Sequence, residues 1–368
     1  MSTVIAFCTD AAVFSSNKIL EEDCAKNYPG TLWVSCLARL AKDYGIEVVT
    51  GDIALCKVQS GEWNASDILV IQEECAVHGA NLVKLGSVPF ALFCLESPLY
   101  ARKFYAHLVE QSKKFKNRIL FRGVFYSLSQ AGIDHVVYFP SYSLEIKEEK
   151  VPWNNKKFLV MVAANKYWRI KRPAYRQIIA WIRDVLWWRR SYITQEIIDN
   201  QLHDKRLELI EYFMGEECLD LYGTGWQNLS NLPKSWEIRL EKIIKKLKPA
   251  PCIDKYTIVS HYKFALCLEN MSYPGYITEK IIDCFRAGVI PIYMGAPDIS
   301  DFVPTDAFVD LRDFHDYSEL NNQLKSMSAE TSLAMIDAGR LFLDSKYGRE
   351  FSFEMFAKNV MNMVEKYK

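Results

Sequence analysis

Residues 262–296 constrain the fold more than any other stretch of this chain. A short apolar run, Phe264–Leu268, is followed by the polar pair Glu269-Asn270 and a Pro274-Gly275 turn. A helix pattern opens at Ile277-Thr278-Glu279-Lys280, and a second apolar run follows at Val289–Met294. Strand, loop, helix and strand in that order make a βαβ unit. Its loop and helix start lie where an α/β sheet holds its ligand, beyond the carboxyl ends of the strands. Backbone N–H groups of a first helical turn attract anions, and a lysine there adds a full positive charge. A phosphate would repel Glu279, so neutral hydroxyls such as those of a ribose suit that carboxylate better. Asn270 can donate to a phosphate without adding charge. The set predicts a grip for a nucleotide diphosphate; the plainer alternative is an ordinary βαβ unit with a capped helix.

The rest of the chain extends the same pattern. Val4–Cys8, Ile46–Val49, Ile68–Ile71 and Phe90–Leu95 are short apolar, β-branched or aromatic runs, and Thr31–Tyr44 has helical periodicity ending at Gly45. Short strands alternating with helices imply a parallel sheet with right-handed crossovers. Around residues 141–156 the chain turns polar, with Pro140, Pro152 and the charged run Lys147-Glu148-Glu149-Lys150, which predicts an interdomain linker. Residues 157–164 restart the strand pattern, and Leu219–Tyr222 and Phe308–Leu311 continue it; Ser328–Lys368 reads as helices. The expected division is an N-terminal α/β domain over 1–150, a C-terminal α/β domain over 151–349, and a last helix over 350–368 that returns to the first domain.

At 368 residues, half of them hydrophobic and 13% aromatic, the chain has enough apolar material for two cores. Forty-five basic residues balance forty-five acidic ones, which gives no electrostatic case for nucleic acid as a partner. The ten cysteines form no CxxC pair, and Cys94 and Cys267 sit in apolar runs, as suits a reducing cytoplasm. Met1–Phe14 has no basic leader region, and no charge-free apolar run approaches ~18 residues, so neither a signal peptide nor a spanning helix is expected.

The central stretch resembles the donor-site signature of the α1,3/α1,4-fucosyltransferases, glycosyltransferase family 10. The residues that carry the likeness are Glu269-Asn270, Tyr276-Ile277-Thr278-Glu279-Lys280, Ala287-Gly288, Val289-Ile290-Pro291-Ile292 and Gly295. It continues through Phe302-Val303-Pro304 and Ala307-Phe308-Val309-Asp310, and upstream through Asp220-Leu221-Tyr222-Gly223-Thr224-Gly225-Trp226. The resemblance implies a GT-B architecture: two Rossmann-like α/β domains facing a central cleft, with the acceptor on the first and the sugar-nucleotide donor on the second. It implies transfer of L-fucose from GDP-β-L-fucose, with inversion, to a hydroxyl of a glycan acceptor such as a bacterial surface polysaccharide; the alternatives are an inverting enzyme using another GDP-deoxysugar and a catalytically silent sugar-nucleotide-binding protein. Animal and plant members are Golgi-anchored, so this chain looks more like the soluble bacterial members. A cytoplasmic location with at most peripheral membrane contact follows.

Sugar transfer needs a base for the acceptor hydroxyl and positive charge or hydrogen bonds for the departing diphosphate. The chain has no aspartate-x-aspartate metal motif, so lysine, arginine and a helix N-terminus are expected to serve without a cofactor or an essential metal. Glu96 is the candidate base. It ends the apolar run before Ser97-Pro98, where an α/β domain exposes functional side chains, and apolar walls would make its carboxylate more basic. The family has a Glu-Ser-Pro at the matching place; the alternative is a glutamate that merely ends a strand. For the diphosphate, Lys280 leads and Arg206 follows on a helix pattern with Leu209, Ile210 and Phe213. Arg172, closer to Asn165, is the rival to Arg206. Asn165, Asn270, Glu279, Tyr276, Gly223 and Gly225 complete the expected donor site. Tyr276 would act near the ribose or as a core aromatic, and the glycines would allow close approach to the nucleotide or make a plain turn. Trp181, Arg183 and Trp187-Trp188-Arg189-Arg190 could stack on sugars or face a lipid-linked acceptor, or pack as an ordinary helix. The family's acceptor-side motif has no counterpart at Phe125–Gln130, so acceptor specificity is not carried over.

Overall fold

The computed structural model describes residues 3–125, 128, 133–144, 151–167, 199–230, 232–247, 249–252 and 254–368. Arg172, the Trp181–Arg190 stretch and the charged run Lys147–Lys150 lie outside the described residues. Two compact units divide the chain: the first holds the described residues up to 144 and Arg349–Lys368, the second those between 151 and 348. Four helices are used below: α1 (Leu32–Asp43), α2 (His203–Gly215), α3 (Glu279–Arg286) and α4 (Phe353–Tyr367).

The first unit is built on six parallel strands, β1 (Val4–Cys8), β2 (Glu47–Thr50), β3 (Ile68–Glu73), β4 (Val88–Phe93), β5 (Asn117–Leu120) and β6 (Ile133–Val136), in the order β2-β1-β3-β4-β5-β6. The apolar runs read from the sequence form β1 to β4, buried on both faces as parallel strands require. No sequence expectation covered β5 and β6. Both carry polar residues that mask a strand pattern: β5 begins Asn117-Arg118, and β6 interleaves Asp134 and His135. Arg118 is fully buried and forms an ion pair with Asp134, so the pairing of two strands rather than local hydrophobicity makes this edge.

The chain's last helix belongs to this first unit. In α4 the residues Phe353, Phe356, Ala357, Val360, Met361 and Val364 are buried, a one-sided helical stripe. It packs on α1, where the Trp33 and Phe356 rings meet edge to face with centroids 4.7 Å apart. The Ser352 side chain caps α4 by accepting the Met355 N–H, and Glu354 in its first turn accepts the Ser143 hydroxyl at 2.6 Å. That last bond ties the end of the first domain's chain to the returning helix.

The second unit has five parallel strands, β7 (Lys157–Val162), β8 (Leu219–Tyr222), β9 (Tyr262–Leu268), β10 (Ile290–Met294) and β11 (Val309–Asp310), in the order β11-β10-β9-β7-β8. The strand after β7 lies on one side of it and β9 lies on the other. The order therefore reverses between β7 and β9, and the crevice beyond their carboxyl ends is where such a sheet binds ligands. Two glycines shape that crevice. Gly223 has φ +130°, and a Cβ there would lie 2.1 Å from the Ala163 carbonyl oxygen; Gly225 has φ +86° and a Cβ would come within 3.0 Å of the Asn165 oxygen. The close approach they permit is between the β8 loop and the β7 loop.

Candidate functional site

The second unit's site is organised by a carboxylate that sequence reasoning assigned no role. Glu269 follows β9 and is 0% exposed. Its Oε1 accepts the Thr278 N–H at 2.8 Å, and both its oxygens accept the Thr278 hydroxyl, at 3.0 and 2.8 Å. Oε2 also accepts from Lys280 Nζ at 2.9 Å. An isolated buried carboxylate costs several kcal/mol, so these partners are what permit Glu269 to sit there. Thr278 precedes the first turn of α3, so Glu269 locks the helix start onto the strand end. Gly295 leaves it room: a Cβ there would come within 2.5 Å of Glu269 Cγ.

Lys280 projects from that locked turn with its side chain 23% exposed. Burial pushes its pKa down, but Glu269 and Glu279 outweigh this and hold it above the ordinary lysine value. Glu279, 38% exposed, lies 3.5 Å from Lys280 Nζ and 3.9 Å from Lys255 Nζ. Burial would raise its pKa, yet Lys280 and Lys255 pull it down to about 2, so it is ionised across the neutral range. Lys255 is held in turn by Asp283 at 2.7 Å.

Arg206 enters from α2 and is 6% exposed. Its Nη2 donates to the carbonyl oxygens of Leu268 and Glu269 at 2.7 and 2.6 Å and to Asn270 Oδ1 at 3.1 Å. Asn270 Nδ2 donates to the hydroxyl of Tyr276, whose ring is fully buried as a core aromatic. Asn165 fastens the neighbouring loops, its N–H to Thr224 O at 2.8 Å and its Nδ2 to Gly225 O at 3.2 Å. The structure thus gathers all eight expected donor residues at one strand-end crevice. Glu279, Lys280 and Asn270 are partly exposed, whereas Arg206, Tyr276 and Asn165 are buried.

Glu96 lies in the first unit, just beyond β4 and half-buried. Its Oε1 accepts the Ser97 N–H at 2.8 Å and the Ser97 hydroxyl at 3.2 Å, and its carbonyl accepts from the Tyr105 hydroxyl and the Cys94 thiol. Glu74, beyond neighbouring β3, was also missed. Its backbone has φ +51°, and its N–H bonds the Phe93 carbonyl at 2.9 Å. Burial first, then the charges of Glu73 and Glu96, push its carboxyl up to about 7. Burial likewise raises Glu73. The available signal was a Glu-Glu pair directly after an apolar strand run.

Proteins of known structure share this fold. The chain aligns over 99% of its length with Anabaena HepE in complex with UDP and glucose, at TM-score 0.56 and 11% identity, covering all of that chain. It aligns equally far with an α1,3-fucosyltransferase with GDP, at TM-score 0.52 and 16% identity, covering 90% of that chain. The class is the GT-B glycosyltransferase fold, with two parallel-sheet α/β domains. Residues 187–335 match the model of the C-terminal domain of glycosyltransferase family 10 (fucosyltransferase). Over 73 residues the chain is 44% identical to the alpha-(1,3)-fucosyltransferase FucT of Helicobacter pylori, and over 129 residues 30% identical to an alpha-(1,4)-fucosyltransferase of Arabidopsis thaliana. Those stretches are 20% and 35% of this chain, and span 15% and 30% of the relatives' lengths.

Two outcomes are expected from this geometry. Glu269→Ala leaves Lys280 without its buried counterion and frees the start of α3, so it should destabilise the protein by about 3–5 kcal/mol in denaturant unfolding. A loss below about 1 kcal/mol would show that Glu269 holds nothing essential. Glu74 carries a carboxyl pKa raised on folding, so the native state binds the extra proton. That contribution is present at low pH and is lost as pH rises from the ordinary carboxyl value, 4.5, through about 7. Glu74→Gln should match the wild type near the low end and exceed it by about 1–2 kcal/mol at pH 8. Parallel pH profiles of the two proteins would contradict this.

Proposed function

We propose that this protein is an inverting fucosyltransferase that moves L-fucose from GDP-β-L-fucose to a hydroxyl of a glycan acceptor. The observation that carries the reading is the Glu269-Thr278-Lys280 lock at the start of α3, within the stretch that matches family 10. Lys280 and Arg206 are assigned to the diphosphate and Glu279 to the ribose hydroxyls. Charge-assisted hydrogen bonds from such cations stabilise the leaving group as the sugar–phosphate bond breaks. Glu96 is assigned as the base. Its carboxylate takes the proton of the acceptor hydroxyl while that oxygen attacks the anomeric carbon from the face opposite the diphosphate. One bond forms, the bond to GDP breaks, and the β-configured donor gives an α-fucoside.

The acceptor is proposed to be a bacterial surface glycan joined through an α1,3 or α1,4 linkage, with a lipid carrier as one form of it. No helix among the described residues is long and apolar enough to cross a membrane. A cytoplasmic enzyme meeting its acceptor at the membrane face fits the sequence reading. An array of GDP- and UDP-sugars against glycan acceptors, read by mass shift, tests the donor. Transfer from GDP-fucose supports the reading, and transfer from a different sugar nucleotide alone refutes it.

Glu96→Gln should lower turnover ~10²- to 10⁴-fold while leaving GDP affinity unchanged, because a base acts only on the acceptor proton. Retention of most turnover would remove Glu96 from the role. Activity should also survive chelator treatment, since the diphosphate is assigned to side-chain cations. Complete loss that Mn²⁺ or Mg²⁺ restores would contradict that assignment.

A further inference from the structure

Glu279 stands beside the residue assigned to the diphosphate. Lys280 Nζ lies 2.9 Å from Glu269 Oε2 and 3.5 Å from Glu279 Oε1. A diphosphate drawn to that ammonium competes with both acids, and its negative charge opposes ionised carboxylates nearby. Glu269 keeps the Thr278 N–H and hydroxyl as donors whatever Lys280 does. Glu279 has a second cation, Lys255, whose Nζ is 3.9 Å from its Oε1.

The fold fixes Lys255 there. It opens the short helix Lys255–Ser260, whose start is set by Asp254 Oδ1 accepting the Tyr256 N–H at 3.0 Å and the Thr257 N–H at 3.4 Å. Its Nζ donates to Asp283 Oδ2 at 2.7 Å. Asp283 is one helical turn beyond Glu279, so both acids lie on one face of α3 and a single ammonium bridges them. Arg286 takes the other oxygen of Asp283, Oδ1, at 3.5 Å, and its guanidinium sits 5.9 Å from the centre of the Tyr256 ring. The two helices are therefore fastened at a second point that does not use Lys255. The charged groups around Glu279 are Lys280 on its own helix, Lys255 on the short helix, Glu269 and Asp283, which share those lysines, and Arg206 from α2, which acts on Lys280. Burial works against the charge of Glu279; Lys280 and Lys255, with hydrogen bonds from Thr278 and its own N–H, outweigh burial. With Lys280 turned to a diphosphate, Lys255 is the cation left to Glu279.

We propose that Lys255 is a positioning residue of the donor site, holding the Glu279 carboxylate while Lys280 serves the diphosphate, so that an acid can receive ribose hydroxyls beside a phosphate. The inference rests on the reading that places a diphosphate at Lys280 and a ribose at Glu279. The alternative is a lysine that only joins two helices.

Calorimetry of GDP binding on the full chain distinguishes them, run from about pH 5.5 to about pH 8. Lys255→Gln keeps a donor for Asp283 and removes the charge. In its complex the Glu279 carboxyl gains a raised pKa, so binding takes up a proton and affinity falls as pH rises. The variant should bind GDP about three- to tenfold more weakly than wild type near pH 8, with the deficit shrinking toward the acid end. Lys255→Arg should restore wild-type behaviour. In a Glu279→Gln background, Lys255→Gln should cost nothing further, since the acid it would hold is gone. A second comparison leaves Lys255 in place: the difference in GDP affinity between wild type and Glu279→Gln should stay constant over the same pH range, as an acid ionised throughout requires. A difference that changes with pH overturns the inference even where Lys255→Gln fails to fold. Wild-type affinity and pH dependence in Lys255→Gln overturn it and leave the nucleotide reading standing. An equal loss with and without Glu279 also overturns it. If wild type does not bind GDP, the nucleotide reading falls and the inference with it.

Discussion

The second unit's site depends on the buried carboxylate of Glu269. It is enclosed by protein, and Thr278 and Lys280 donate the hydrogen bonds that offset the cost of burying it. The dependence runs both ways. The start of α3 is placed by these bonds, and the ammonium of Lys280 is aimed by them. Arg206 extends the same framework, because its guanidinium binds the carbonyls on either side of the Leu268–Glu269 link. A strand end, a helix start and a distant helix are thereby joined through one acid. Rigid support of this kind is what positions side-chain cations for a developing charge without reorganisation.

The first unit uses carboxylates in the opposite way. Burial raises the pKa values of both Glu74 and Glu73; the charges of Glu73 and Glu96 raise Glu74 further, and that of Asp10 raises Glu73 against a hydrogen bond from Thr9. Glu96 is one of the charges that acts on Glu74. One sheet end thus sets acids against cations, and the other gathers acids that resist ionisation. Two carboxylate environments pushed apart in this way are how a protein assigns different proton roles to chemically similar groups.

Much of the fold was legible because parallel strands buried on both faces are continuous apolar runs. The runs at Val4–Cys8 and Leu219–Tyr222 coincide with β1 and β8. β5 and β6 were not legible, since Arg118 becomes a strand residue only by pairing with Asp134 on the adjacent strand. Among the site residues, Lys280 and Glu279 were visible from their place at a helix start. Gly223 and Gly225 were noticed as glycines, but the surfaces they bring together, the β7 and β8 loops, lie far apart in the chain.

The sequence by itself determined the strands of both units other than β5 and β6, and the motif at residues 269–295 that lies within the match to a family 10 domain. These depend on local periodicity and on residues close in the chain. Only the tertiary structure decided that Glu269 is the hub and that Arg206 is buried against carbonyls rather than exposed. Burial and charge balance are properties of an environment assembled from separate elements. No window of sequence contains them until the chain has folded.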